Sequence, residues 1–190
     1  MAKKKLILVT SPPACGKTFV TKTLARSLNN CVYLDKDDLI VLSKQIYKVA
    51  GEPFDRSSDF FHEYIRDAEY DAILEVALNA LNYNDTVLIN APFKKEVRSP
   101  EWLAAMRKKL ALRNAELCII WVHTDIEVVR QRMVARNSER DTWKIEHWDE
   151  YVATQNYDPP ENIPELFIFK NSSDDEFDES IGQAVDFIRS

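Results

Sequence analysis

Residues 6–18 read LILVTSPPACGKT, and this stretch decides how the chain is expected to fold. Its first five residues match a short buried strand, whereas the segment KTFVTKTLARSL, from residue 17 onward, has a helical pattern. A tight loop, SPPACG, joins the two. Because the first N–H groups of a helix have no partner inside the helix, this order of strand, loop and helix predicts an anion-binding site where the helix begins.

The loop follows the phosphate-binding template Gly-x-x-x-x-Gly-Lys-[Ser/Thr], except that Ser11 stands at the position of the first glycine. Its two prolines have no N–H to donate, so the amides that face a phosphate are expected in the second half of the loop. The predicted nucleotide contacts are Ala14, Cys15, Gly16, Lys17, Thr18 and Phe19. In this template the lysine reaches the β- and γ-phosphate oxygens and the hydroxyl of Thr18 binds Mg²⁺. The alternative is a chance Gly-Lys-Thr match at the start of a helix.

The rest of the chain alternates short apolar runs with longer helical patterns. The predicted strands are 6–10, 32–35, 86–90, 117–123 and 166–170, and the predicted helices are about 17–28, 38–50, 58–82, 100–113, 125–136, 146–155 and 176–188. Strands without polar alternation are typical of parallel sheets that are covered on both faces. The pattern therefore predicts an α/β three-layer sandwich, and the length of 190 residues predicts a single domain over 1–190.

Composition limits the classes of partner. The formal net charge is −6, and the segment 158–190 holds nine acidic residues against Lys170 and Arg189, which leaves the remainder near +1. General adhesion to nucleic acid is therefore not favoured, although a local basic cleft remains compatible with these charges. No apolar run approaches the roughly 20 residues of a membrane span. Three cysteines without paired spacing fit a reducing cytoplasm.

Three motifs carry a resemblance to a known family. SPPACGKT resembles the GPPGSGKT loop of P-loop kinases, and YLDKDDLI (33–40) resembles the end of the second strand in phage-type polynucleotide kinases. RMVARNSERDTWKIEHWDEY (132–151) resembles the arginine-bearing lid of zeta-toxin-like and polynucleotide-kinase-like phosphotransferases. The resemblance implies a P-loop NTPase kinase fold with strand order 2-3-1-4-5, ATP and Mg²⁺ as cofactors, and a lid at about 130–150.

The acidic residues after the second predicted strand are candidates for a catalytic base. Asp35, Asp37 and Asp38 follow that strand, at the sheet edge where α/β proteins bind ligands. A kinase benefits from a carboxylate that accepts the proton of the acceptor hydroxyl. Asp38 directly precedes a helical pattern and could be its N-cap, which leaves Asp37 freer for chemistry. The resemblance also points to Asp37 as the base, with Asp38 as its rival or as a substrate contact.

The third predicted strand ends in Asn90, where many P-loop enzymes have an acidic residue that holds Mg²⁺. This is a departure from the polynucleotide-kinase pattern. The amide can accept a hydrogen bond from a metal-bound water but brings no negative charge, and the alternative is that Asn90 only caps the strand. Lys94 and Arg98 follow it and could contact an anionic acceptor, or could be surface charges before a helix that starts at about 100.

Arginines form a candidate site in the lid. Arg132 and Arg136 are four residues apart on one predicted helix face, and Arg140 follows in a polar break. Such cations stabilise the charge on a moving phosphoryl group when a lid closes. Ion pairs on the helix surface are the alternative, which the local scarcity of acidic residues makes less attractive. After the last strand, Asn171 lies where the resemblance implies an adenine-contacting loop.

Together these features predict an ATP-dependent phosphotransferase. Its acceptor would be a hydroxyl of a small molecule, nucleoside or nucleotide, and the overall acidity favours a small molecule. A 5′-hydroxyl polynucleotide kinase is an alternative. So is a weakly hydrolytic or non-catalytic ATP-binding module, because Asn90 stands where an acid is expected.

Overall fold

The five apolar runs form one parallel sheet in the computed structural model of the protein, which describes residues 3–138 and 141–190. The strands are β1 (Lys4–Thr10), β2 (Cys31–Asp35), β3 (Thr86–Asn90), β4 (Ala115–His123) and β5 (Leu166–Lys170). Their spatial order is β2-β3-β1-β4-β5, which confirms the predicted order. β1 therefore lies at the centre of the sheet, paired with β3 on one side and with β4 on the other.

Helices cover both faces of this sheet. They are α1 (Lys17–Ser27), α2 (Ile40–Ala50), α3 (Arg66–Ala80), α4 (Pro100–Ala111), α5 (Ile126–Arg136), α6 (Thr142–Glu146), α7 (Trp148–Thr154) and α8 (Asp174–Arg189). One apolar core contains side chains of α3 and α4, and the other contains side chains of α1, α5, α7 and α8. The predicted three-layer α/β sandwich is confirmed.

The central strand shows why the strand sequences lack polar alternation. Leu6 and Leu8 point into the core under α3 and α4, whereas Ile7 and Val9 point into the core under α1 and α8. All four side chains are fully buried. Since successive residues of a strand face opposite sides, a strand covered on both faces must be apolar at every position.

Three local features differ from the helices that the sequence predicts. The predicted helix over 58–82 contains a π-helical turn, Phe61–Ile65, before α3. The predicted helix over 38–50 begins two residues early, with a 3₁₀ turn at Lys36–Leu39 that leads into α2. Asp38 is not its N-cap, because the carboxylate of Asp35 accepts the hydrogen bond from the backbone N–H of Asp37 at 3.1 Å. The predicted helix over 146–155 is preceded by α6.

The buried carboxylate of Asp141 explains why this segment forms the helix α6. This carboxylate is fully buried at the start of α6 and accepts hydrogen bonds from Arg136 and Lys144. The segment around it was expected to be a polar break. Arg140, one of the three predicted lid arginines, lies outside the described residues.

The topology gathers the predicted site at one edge. In a parallel sheet all strands end on the same side, so the loops after β1, β2 and β3 come together. Among the described residues, no helix is both long enough and apolar enough to cross a membrane. The three cysteines are unpaired, and Cys15 and Cys118 are buried.

Candidate active site

The loop between β1 and α1 exposes a row of backbone amides. Ala14 and Gly16 have positive φ values of 62° and 81°, and α1 begins directly after Gly16. Within the described part of the chain, the backbone N–H groups of residues 14–18 donate to no other group. Unpaired amides at a helix N-terminus, joined to alternating backbone conformations, form an anion-binding concavity. This geometry agrees with the donor positions that the sequence predicts.

The loop is supported from behind by polar side chains. Asn171 is buried, and its Nδ2 donates to the carbonyl of Cys15 at 2.7 Å. The hydroxyl of Thr124 donates to the same carbonyl at 3.1 Å. Arg132 donates from Nη2 to the carbonyl of Asn171 at 2.8 Å. Asn171 and Arg132 therefore lie behind the loop and hold its backbone in position, whereas Asn171 was expected to contact adenine and Arg132 to act with Arg136 in the lid.

The contact between Asn171 and the loop requires a glycine at position 16. A Cβ atom there would lie 2.5 Å from Nδ2 of Asn171, and the left-handed φ of Gly16 is one that residues with a side chain rarely adopt. The side chain of Cys15 faces the core and is 1% exposed, so only its backbone is available to a ligand. Burial raises the pKa of the Cys15 thiol to about 11, which keeps it protonated and unreactive.

Asn90 is the centre of a hydrogen-bond network at the ends of the strands. Its Oδ1 accepts from Nζ of Lys17 at 2.5 Å, and its Nδ2 donates to Oδ2 of Asp35 at 2.7 Å and to Oγ1 of Thr18 at 3.3 Å. Asp35 is the residue opposite Asn90 in the pairing of β2 with β3. Asn90 therefore connects the lysine, the hydroxyl and a carboxylate on the neighbouring strand.

This network keeps Asp35 ionised. Burial alone would raise the pKa of Asp35, but hydrogen bonds from Tyr33, Asn90 and the backbone of Asp37, together with the charge of Lys17, lower it. Burial lowers the pKa of the Lys17 ammonium, and the charges of Asp35 and Asp37 oppose that change. The ionised carboxylate of Asp35 therefore lies at the end of β2, next to Asn90 at the end of β3.

The loop opens into a cavity of about 440 Å³. We call it the phosphate-loop cavity; it is lined by residues 11–19, Asp37, Pro92, Lys94, Arg136 and Lys144. Asp37 is exposed and faces this space, whereas Asp38 is exposed outside it. The structure thus brings Asp37 and Lys17 together and does not bring Asp38 to them.

The lid arginines have different surroundings. Arg136 lines the cavity and is held there by Asp141, whose Oδ2 accepts from its Nε at 2.8 Å and its Nη2 at 2.5 Å. Arg132 instead lies behind the loop. The two guanidinium groups therefore have separate partners, and the expectation that acidic partners are scarce is wrong for Arg136, because Asp141 folds back onto it.

Lys94 and Arg98, the basic residues after β3, also have different surroundings. Lys94 lines the phosphate-loop cavity and donates from Nζ to Oε1 of Gln155 at 3.0 Å. Arg98 does not line it, because its Nη2 donates to the carbonyl of Asp158 at 2.5 Å and its guanidinium lies over the ring of Trp121. Phe19 lines the cavity at its outer side, 63% exposed, with its ring beside Phe177.

The sequence prediction missed Lys144 and gave Asp35 a different role. Lys144 lines the cavity and shares Asp141 with Arg136, and its i, i+3 spacing from Asp141 was the available signal. Asp35 was considered only as a base candidate. Its contact with Asn90 depends on the order of β2 and β3, which no local motif specifies.

Comparison with protein families and curated proteins gave one match. A family model described as an AAA domain matches residues 6–159, which is most of the chain and includes the loop, the acidic residues and the lid. No curated protein matches the sequence.

Solved structures with a similar fold include several proteins that are described as kinases. A gluconokinase from Sinorhizobium meliloti has a TM-score of 0.58 at 12% identity, over 98% of this chain and 92% of that one. The APS kinase of Mycobacterium tuberculosis, in complex with AMPPNP and APS, has a TM-score of 0.53 at 19% identity over 100% of both chains. Kti12 of Chaetomium thermophilum, in complex with ADP-AlF3, has a TM-score of 0.56 at 16% identity over 97% of this chain and 100% of that one.

Proposed function

The chain belongs to the AAA domain family, and from this premise we propose that it is an ATP-dependent phosphotransferase whose acceptor is a hydroxyl of a small molecule. One observation carries the proposal. The ammonium of Lys17, the unpaired amides of residues 14–18 and the carboxylate of Asp37 all face the phosphate-loop cavity. Phosphoryl transfer needs a cradle for the donor phosphates and a base near the acceptor, and this cavity offers both.

The donor phosphates would lie against the loop. The amides of residues 14–18 and the α1 dipole would bind phosphate oxygens, and Lys17 would exchange its hydrogen bond with Asn90 for one with the β- and γ-phosphates. Arg136 and Lys144, which line the same cavity, would neutralise charge on the phosphates. Bound AMPPNP and ADP-AlF3 in two proteins of the same fold support a nucleotide as the ligand.

The chemical step follows from the position of Asp37. The acceptor oxygen forms a bond to the γ-phosphorus while the bond from that phosphorus to the β,γ-bridging oxygen breaks, and ADP leaves with the bonding electrons. The carboxylate of Asp37 accepts the proton that the hydroxyl loses. Asp37 is exposed and has no side-chain partner among the described residues, so it is available for this role.

The residues beside Lys17 fit a magnesium ion. The hydroxyl of Thr18 and the carboxylate of Asp35 both lie within hydrogen-bond distance of Nδ2 of Asn90, and Mg²⁺ prefers such oxygen ligands together with substrate phosphates. When bound, the ion would neutralise charge on the phosphate oxygens. We propose that Asp35 supplies the negative charge that Asn90 lacks, which argues against a non-catalytic ATP-binding module.

The test compares Asp37 with its neighbour. Release of ADP is measured with a panel of hydroxyl acceptors for the wild type, Asp37→Asn and Asp38→Asn. We expect Asp37→Asn to lower kcat by about 10²- to 10⁴-fold, the usual contribution of a general base, and to leave nucleotide affinity close to that of the wild type. Asp38→Asn serves as the matched control because it removes the same charge one residue away, outside the cavity.

Three results would contradict the proposal. Full turnover in Asp37→Asn would remove the base assignment. Tight ATP binding without acceptor-stimulated ADP release would favour the ATP-binding module, and preferential phosphorylation of a 5′-hydroxyl oligonucleotide would favour the polynucleotide kinase.

A further inference from the structure

We propose that the acceptor is a small hydroxyl compound that also carries a carboxylate or phosphate group, and that a second cavity binds this anionic group. The inference rests on the proposed phosphotransferase function. The second cavity has a volume of about 290 Å³ and adjoins the phosphate-loop cavity, with which it shares Pro92 and Lys94. We call it the basic cavity, because its lining includes Lys36, Arg56, Arg66, Lys94 and Lys95.

The charges around the basic cavity do not balance. Glu69 pairs with Lys36 and with Arg56, and Glu96 pairs with Arg66. Asp67 reaches Arg66 only from the solvent side, with a side chain that is 69% exposed. Within residues 3–138 and 141–190, neither Lys94 nor Lys95 forms an ion pair. Five cations against these three carboxylates, two of which are buried, leave a positive cavity, which attracts an anion.

Arg56 is held in one orientation. Its Nη1 and Nη2 donate to the two carboxylate oxygens of Glu69 at 2.6 and 2.7 Å, and its guanidinium lies 4.5 Å from the ring centre of Phe61. Glu69 is only 5% exposed and also accepts from Lys36 at 2.7 Å and from Ser43. A guanidinium has five N–H donors, so three remain for a ligand after these two bonds.

Arg66 is held in a similar way, by a buried carboxylate and an aromatic ring. Its Nη2 donates to Oε1 of Glu96 at 2.8 Å, and its guanidinium lies 4.4 Å from the ring centre of Tyr70. Glu96 is buried. Guanidinium groups that are stacked on rings and fixed by buried carboxylates lose little freedom on binding, and their planar fork matches carboxylate and phosphate oxygens.

The position of the basic cavity relates it to the transfer step. Lys36 lines it and directly precedes Asp37 in the chain, and Lys94 lies on the wall between the two cavities. A ligand anchored at Arg56 and Arg66 would therefore extend its hydroxyl toward Asp37. The volume is at the lower end of small-ligand pockets, which favours a compact anion over a polynucleotide.

The first experiment measures binding without turnover. The protein is saturated with AMPPNP so that the phosphate loop is occupied, and calorimetry compares matched ligands: D-gluconate with D-sorbitol, and glycerol 3-phosphate with glycerol. We expect at least one anion to bind about tenfold or more tightly than its neutral counterpart, with an affinity that falls as salt is added. Comparison of the two pairs distinguishes a carboxylate from a phosphate. Equal affinity within both pairs overturns the inference.

The second experiment assigns the binding to the basic cavity. Lys95 is exposed and unpaired within the described residues, so Lys95→Gln should fold normally. We expect it to weaken the anion about fivefold and leave AMPPNP affinity and neutral acceptors unchanged. Lys108→Gln removes the same charge from an exposed site on α4 outside both cavities and should change nothing. Arg66→Gln should have a larger effect than Lys95→Gln, and Arg66→Lys should restore part of the affinity.

The outcomes separate this inference from the function on which it rests. Anion binding that depends on Lys95 and Arg66, without any phosphoryl transfer, would remove the kinase function and leave the basic cavity as an anion site. Phosphoryl transfer to an anionic acceptor with the same kcat/KM in wild type, Lys95→Gln and Arg66→Gln would overturn the inference and keep the kinase. A 5′-hydroxyl oligonucleotide that binds more tightly than every small anion, through Lys95, would also overturn it.

Discussion

The phosphate-loop cavity and the basic cavity are neighbours, yet they are built from different chemical groups. The first presents backbone amides of residues 14–18, whose positions follow from two left-handed φ values and the start of α1. The second presents side-chain guanidinium and ammonium groups, which are positioned by buried Glu69 and Glu96. One site depends on the path of the chain, and the other depends on ion pairs between separate elements.

This difference determines how each site can fail. Backbone amides remain when most side chains are replaced, so the phosphate loop should be sensitive to changes of conformation and to loss of its lysine. The basic cavity should be sensitive to loss of a buried carboxylate, because a buried cation without its partner is costly. Substitutions that affect one cavity and spare the other therefore test whether the two are independent.

Among the substitutions that test this comparison, Lys17→Ala should have the largest effect. Removal of the ammonium that would bind the β- and γ-phosphates should lower kcat/KM by about 10³-fold, close to 4 kcal/mol of transition-state stabilisation. Lys22→Ala is the matched control, because Lys22 is an exposed lysine on the same helix. The measurement is ADP release at varied ATP. Equal loss in both variants would show that helix charge, and not a phosphate contact, is responsible.

The next effect concerns the basic cavity and the stability of the fold. Glu69→Gln should lower the free energy of unfolding by about 3 kcal/mol, because it leaves Lys36 and Arg56 without their shared carboxylate. Urea unfolding measures this change. Glu75→Gln, an exposed change on α3, should have little effect. If the two variants have the same stability, the buried carboxylate does not hold the cations in place.

The contribution of Glu69 to the free energy of unfolding should also depend on pH. Burial alone would raise its pKa, but hydrogen bonds from Arg56, Lys36 and Ser43 lower it from 4.5 to about 2. Since the pKa is lower in the folded state, this contribution is complete above pH 4.5 and is lost as the pH falls toward 2. The stability difference between wild type and Glu69→Gln should therefore shrink over that interval. A difference that stays constant across it would contradict the assigned pKa.

The same contrast explains how much the sequence alone could predict. The phosphate loop is local in the chain, so the motif, the strand before it and the helix after it were sufficient to predict its position. The strand order and the three-layer architecture follow from apolar runs and from the family resemblance. The basic cavity combines residues from the turn after β2, the segment before α3 and the loop after β3, and no spacing rule predicts their contacts.

The role of Asp35 could be predicted from the sequence only in part. Its place at the end of β2 was visible in the sequence, but its pairing with Asn90 requires the register of two strands that are distant in the chain. Likewise, Arg136 and Asp141 are close in sequence, yet their ion pair depends on the burial of Asp141. Side-chain partners that depend on tertiary burial were the part that local patterns could not predict.

Asp35→Asn should have the third-largest effect. Loss of the only carboxylate that contacts Asn90 among the described residues should lower activity by about 100-fold and raise the Mg²⁺ concentration for half-maximal rate. The double variant Asp35→Asn/Asn90→Asp moves the carboxylate across the pair and should recover part of the rate. Magnesium titration of ADP release measures both. No recovery in the double variant would mean that Asp35 acts by some means other than its charge at this position.

The smallest effect is expected from a substitution of Gly16, which is compared with the same substitution at Gly182. Gly16→Ala should destabilise the protein by about 2 kcal/mol, because alanine is strained at a φ of 81° and its Cβ would meet Asn171, which supports the loop. It should weaken AMPPNP binding and leave anion binding in the basic cavity unchanged. Gly182→Ala is the control: a Cβ there meets nothing within 4 Å, so alanine in α8 should stabilise by about 0.5–1 kcal/mol. Urea unfolding and calorimetry measure the two quantities. If Gly16→Ala also weakened anion binding, the two cavities would be coupled through the backbone, because the substitution changes no charge.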